Sequence, residues 1–254
     1  MSVISAAPQT HEERFYRHLM GGSDLASFRV EQEESDLWIA VDRSSFTPDL
    51  LEVAVHALRR TRQQIVSHIS AQPHFRTALS PLEVPETAPP VVRAMAAAAR
   101  RAEVGPMAAV AGAVAEEVAS ALLAHVHEVI VENGGDIVIC GHHPRRVAIL
   151  AGTSPFSLRV GLLVAGDGTI RSVCTSAGTW GHSLSLGQAD AAVAVAASGP
   201  LADAAATRLG NLVQTEADLP QAVARARDIA GLTGCVLIKG SKLAAWGDIE
   251  LTGL

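Results

Sequence analysis

The chain has 254 residues, 48% of them hydrophobic and 18% charged, enough to bury a sizeable core without a partner. A formal net charge of −6, no basic run and only 4% aromatic residues exclude an electrostatic nucleic-acid binder. Three scattered cysteines, Cys140, Cys174 and Cys235, do not make a disulfide framework and read as buried reduced thiols of a cytoplasmic protein. The first residues carry no charged-then-apolar signal pattern, and every long apolar stretch is broken by Gly, Pro or charge, so no membrane span is expected. An anionic ligand would have to be held by backbone dipoles or a metal.

Residues 27–32 and 36–42 alternate apolar with polar around Glu33-Glu34-Ser35 and predict a β-hairpin with one wet face, its core side including Trp38, Ile39 and Val41. Thr47-Pro48-Asp49 opens a helix, with Thr47 as N-cap and Leu51, Val55, Leu58, Ile65 and Ile69 on its inner face. Arg59, Arg60, Arg62 and Gln63 fall on a solvated face. Residues 72–90 carry five prolines and a short helix near 74–79, followed by an Ala-rich helix over 91–101. Gly105-Pro106 breaks the chain before a longer helix over about 108–124. Its first two turns are nearly free of side chains, which lets a backbone or a ligand come close. Glu116 and Glu117 are assigned to water, and His125 and His127 to the helix end, where cations are favoured.

The stretch over 128–140, EVIVENGGDIVIC, places two runs of strand formers around Gly134-Gly135, bordered by Glu132, Asn133 and Asp136. Adjacent glycines are ordinary hairpin chemistry and also let a backbone approach a ligand. Cys140, His142 and His143 do not match a common zinc spacing, so 141–146 reads as a solvent-facing loop. Strands follow over 147–151, 158–164 and 169–173, the last two joined by Ala165-Gly166-Asp167-Gly168 as a hairpin turn. Residues 175–183, TSAGTWGHS, are small and hydroxyl-rich, able to donate hydrogen bonds to a polar ligand. A strand over 190–197 precedes a helix beginning near Ala202 and reaching Asn211. Asp203 and Thr207 are four apart and share a helical face. The bland reading is dipole compensation by Asp203 and a neutral Thr207. The functional reading is two hard oxygen ligands for Mg²⁺ at the positive end of a helix, with an anionic diphosphate alongside. A further helix over 219–230, a hairpin over 234–246 and an edge segment close the chain.

The order of these motifs carries more than any one of them. GPMAAVAGAVAEEVA, ENGGDIVICG, TSAGTWGHS and LADAAATRLGN, spread over 104–211, together resemble the ApbE superfamily of FAD:protein FMN transferases, also called thiamine biosynthesis lipoproteins, and within it a soluble, uncharacterised branch. The resemblance implies an α+β fold, a mixed and largely antiparallel sheet with packed helices. We expect one such unit over 1–254, with 1–103 as an N-terminal hairpin and helical layer and 104–254 as the motif-bearing core. It also implies FAD as substrate or ligand, Mg²⁺ as cofactor and an acceptor protein for FMN. The metal ligands it implies are the Ala108 carbonyl, Asp203 and Thr207. The ligand-binding positions are Gly134, Gly135, Asp136, Thr175, Ser176 and Gly178, with Asp136 or His182 orienting or deprotonating the nucleophile. Ala111 stands where the transferases carry a lysine, and only Gly181-His182-Ser183 stands near their H-I-x-D-P segment. Three readings follow: an Mg²⁺-dependent flavin transferase or FAD pyrophosphatase, a non-catalytic binder of a flavin or nucleotide-type ligand, and an assembly protein whose small-residue helix is an oligomer contact.

Overall fold

A computed structural model describes residues 22–178 and 186–254. Helices, one large sheet and one small sheet form three layers. The large sheet is built from β1 (Leu25–Gln32), β2 (Ser35–Asp42), β3 (Val129–Asn133), β4 (Asp136–Cys140), β7 (Arg171–Ser176), β8 (Ala191–Ala196), β9 (Leu232–Lys239) and β10 (Lys242–Gly247), hydrogen-bonded in that order and antiparallel throughout. The small sheet holds β5 (Arg145–Ala148), β6 (Val160–Val164) and β11 (Glu250–Gly253), with β6 central. The helices are α1 (Asp49–Ala71), α2 (His74–Thr77), α3 (Pro90–Ala102), α4 (Val110–Leu122), α5 (Gly199–Asn211) and α6 (Leu219–Ala226).

Strand alternation sorts the core. In β8, Ala192, Ala194 and Ala196 face the helices, while Ala191, Val193 and Val195 face the small sheet. The side chains facing α5 are small, and so the helix lies close to the sheet. Covering both faces explains why β3, β4 and β8 read as nearly continuous apolar runs.

Several expectations shift. The first hairpin forms, but β2 is buried along nearly its whole length. Ile39 and Val41 join the helix-side core, whereas Trp38 points the other way, onto Leu25, Ala40 and Ile130. Helix α1 buries Leu50, Ala54, Ala57, Leu58, Thr61, Ile65 and His68. Leu51 therefore lies outward, 46% exposed, because the helix is rotated from the face that the larger side chains suggested. Thr47 contributes its carbonyl to Leu50 N–H at 3.2 Å rather than a side-chain cap. Arg62 is half-buried and binds Glu33, Glu34 and the Ser35 hydroxyl, tying α1 to the β1–β2 turn.

The segment over 165–168 is not a hairpin turn. It carries the chain from β6 in the small sheet to β7 in the large one. Asp167 folds back locally, accepting from Thr169 N–H at 3.0 Å, the Thr169 hydroxyl at 2.6 Å and Arg171 at 2.8 Å. Gly168 N–H bonds the Gly141 carbonyl at 2.9 Å, which replaces a ladder partner.

Candidate functional site

The site grows from the β3–β4 hairpin. Gly134 and Gly135 occupy the two-residue turn with φ of 70° and 104°, the conformation that pairs Asn133 with Asp136. Glu132, fully buried, accepts from Gly135 N–H at 2.9 Å and fixes the turn. Asp136 shares the helix-facing side of β4 with Val138 and Cys140. It is 7% exposed, and its Oδ1 has no hydrogen-bond partner. The Cys174 thiol and Thr175 N–H face this carboxyl, while burial and the nearby Asp203 and Glu132 push its pKa well above the usual carboxylate range.

Asp203 arrives from the helix layer. Ser198-Gly199-Pro200 starts α5 earlier than the expected Ala202, so Asp203 lies in the second turn and not at the helix end. Its Oδ2 accepts from Gly112 N–H at 2.9 Å, in the first turn of α4. Burial raises its pKa to about 7, against the lowering effect of the Gly112 and Ala111 N–H groups. The helices approach backbone to backbone here. A Cβ on Gly112 would overlap the Gly199 carbonyl, and a Cβ on Gly199 would overlap that of Gly112. Gly112, in the small-residue start of α4, is thus used within the chain, against Gly199 of α5.

Thr207 lies half-buried one turn along α5 from Asp203, and Ala108 lies in the 3-10 turn Pro106–Ala109, which packs against α5. Thr175 presents its carbonyl toward Gly135, and strand alternation puts its side chain opposite that of Ser176. Ser176 faces α5 near Gly210. Gly178 packs against the Gly187 backbone and bonds the Ala189 carbonyl at 2.8 Å. The His182 candidate lies outside the described residues, as do Trp180, Gly181 and Ser183.

Two residues have roles that the sequence reading did not assign to them. Asn133 donates to the Ala111 carbonyl at 3.0 Å, bracing the start of α4 against β3. Glu116 is not simply solvated: half-buried, it accepts from Gly199 N–H at 2.5 Å, and burial raises its pKa. The legible signal was a repeated spacing, Gly112-x-x-x-Glu116 and Gly199-x-x-x-Asp203, at two helix starts.

Elsewhere, Asp24, Glu128 and His143 offer metal-type atoms within 4.8 Å of one another. Arg145 already bridges Asp24 at 2.6 Å and Glu128 at 2.7 Å, so a guanidinium occupies the cation's place. None of the candidate site residues is in this group.

A protein-family profile described as "AbpE bacteria" matches residues 17–233. The chain belongs to this family. Relatives in the family's sequence neighbourhood include a UPF0280 protein of Methanosarcina barkeri, 39% identical over 233 residues and covering 89% of this chain and 90% of the relative. A second, from Methanocella arvoryzae, is 41% identical over 196 residues, covering 77% and 80%. The fold is that of ApbE proteins. The Pseudomonas stutzeri flavinyl transferase ApbE in its apo form aligns with a TM-score of 0.53 and 17% identity, over 88% of this chain and 94% of that one. An ApbE protein of Thermotoga maritima aligns at 0.57 and 13%, over 87% and 96%. The α+β class expected from sequence, with its largely antiparallel sheet, is therefore correct. Among the described residues, no helix of this AbpE-family chain is long and apolar enough to cross a membrane.

Proposed function

We propose that this AbpE-family protein binds FAD or a related diphosphate in an Mg²⁺-dependent manner and cleaves the diphosphate, so that from FAD the FMN passes to a hydroxyl of an acceptor protein or to water and AMP leaves. The observation that carries this reading is the pair of buried Asp136 and half-buried Asp203, two mutually repelling carboxyls, one of them with an unpartnered oxygen. Such a pair is costly unless a cation or proton satisfies it. All its donors are hard oxygens, which fits Mg²⁺. Asp203 would hold the ion with Thr207 and the Ala108 carbonyl, and Asp136 lies across from Asp203.

A divalent cation there supplies charge neutralisation at diphosphate oxygens. The chain's own residues do the rest. Helix α5 fixes Asp203 through the Gly112 N–H, and the Gly134-Gly135 turn brings backbone close to a ligand without a Cβ in the way. Ser176, on the α5 side of β7, is placed to hydrogen-bond a polar ligand. Burial and the nearby Asp203 raise the pKa of Asp136, which favours the protonated carboxyl and suits it to hold a proton there.

A second reading, binding without turnover, is favoured by one observation: Ala111 offers no ammonium, and among the described residues the charges that act on the Asp136 carboxyl are those of Asp203 and Glu132.

Calorimetry with MgCl₂ alone tests the metal site. Wild type is expected to bind Mg²⁺, and Asp203→Ala to weaken binding by about 100-fold or more. Equal affinity in the two proteins would remove the basis of the proposal.

A further inference from the structure

The α4–α5 crossing is reciprocal. Gly112, in the first turn of α4, gives its N–H to Asp203, which lies four residues after Gly199 on α5. Gly199 opens α5 and gives its N–H to Glu116, which lies four residues after Gly112 on α4. Each helix start has N–H groups with no partner inside its own helix, and each is satisfied by a carboxylate one turn along the other helix. Between the two bonds the backbones touch, since either glycine would drive a Cβ into the other's carbonyl. The Cβ position on Gly112 is 2.9 Å from Asp203 Cβ, and that on Gly199 is 3.2 Å from Glu116 Cβ. The crossing therefore has one register, set from both ends.

We propose that Glu116 is a positioning residue for Asp203: by holding the Gly199 N–H it fixes where α5 begins on α4, and so where the Asp203 carboxylate stands. This rests on the proposed role of Asp203 and extends it to a residue that touches neither metal nor ligand. Glu117, next in sequence, points to the surface and meets Arg60 at 3.6 Å, so it serves as a control for charge alone.

Two readouts test the assignment on the full chain. The first needs no metal: amide exchange at Gly112, whose N–H bonds Asp203 and not Glu116. Glu116→Ala is expected to speed that exchange about tenfold, as local opening becomes easier. Glu116→Gln, whose amide oxygen can still accept from Gly199, and Glu117→Ala are expected to leave it unchanged. Glu116→Asp keeps the charge but falls one methylene short, and should behave as Glu116→Ala even if the alanine variant folds poorly. The second readout is calorimetric affinity for Mg²⁺ alone, which should fall about 10- to 100-fold in Glu116→Ala and Glu116→Asp and hold in Glu116→Gln. Unchanged Gly112 exchange in Glu116→Ala and Glu116→Asp overturns the proposal, as does a Glu116→Gln protein as impaired as Glu116→Ala. Should wild type take up no Mg²⁺, the metal reading fails, and Gly112 exchange alone still decides whether Glu116 places Asp203.

Discussion

Gly112→Ala is expected to destabilise the protein by about 3 kcal/mol, the upper range for forcing atoms into a packed interior. The added methyl would meet the Gly199 carbonyl and lie 2.9 Å from Asp203 Cβ. The opposing atom is backbone, so no rotamer change relieves it. Helices α4 and α5 must part, and the Gly112–Asp203 hydrogen bond goes with them. Urea denaturation monitored by circular dichroism reads the effect as a lower midpoint at unchanged slope. A midpoint within error of wild type would mean that the crossing gives way easily and cannot fix Asp203.

Asp136→Asn is expected to act in the opposite direction on stability while weakening metal binding. Without metal, the carboxyls of Asp136 and Asp203 have pKa values raised above their unfolded values, that of Asp203 to about 7. The folded protein then holds protons that the unfolded chain releases, so the share due to Asp203 is fully present below pH about 4 and is lost as pH rises through about 7, and the share due to Asp136 is lost in the same direction. An amide at position 136 removes one of the two ionisations. In EDTA, Asp136→Asn should therefore melt above wild type at pH 8, by on the order of 2 kcal/mol, and close to it at pH 5. Mg²⁺ should stabilise wild type at pH 8 and do much less for the variant. A variant that melts below wild type equally at both pH values would show that Asp136 is held by ordinary hydrogen bonding and carries no stored charge repulsion.

Much of this architecture was legible because local chemistry and tertiary packing agree. Gly134-Gly135 between two β-branched runs can hardly be other than a tight turn between core strands, and it is one. Thr47-Pro48-Asp49 marks the start of α1, Pro48 standing in helical conformation just before Asp49. Legibility failed where a residue's partner lies far away in sequence. Glu116 and Glu117 look alike as neighbours, yet a helix turns about 100° between them. One side chain goes to Arg60 at the surface and the other to Gly199, 83 residues on. Asp167-Gly168 has hairpin chemistry, but β6 and β7 find their partners in different sheets, and no local signal reports that. The start of α5 at Gly199 was missed because Gly and Pro read as breakers, whereas here they begin the helix and bring its backbone against Gly112. At the candidate site, the spacing of Asp203 and Thr207 was visible. The convergence of Asp136 on Asp203 needed the fold.

The most direct measurement is chromatography of the purified protein incubated with FAD, in Mg²⁺ and in EDTA, with Asp203→Ala alongside and FAD fluorescence read in the same samples. AMP and FMN forming only with Mg²⁺ and only when Asp203 is present is the predicted result. Binding without products would favour the non-catalytic reading of the same site. Neither binding nor products from wild type in Mg²⁺, or products that form equally in EDTA or with Asp203→Ala, would contradict a metal-dependent diphosphate site built on the Asp136–Asp203 pair.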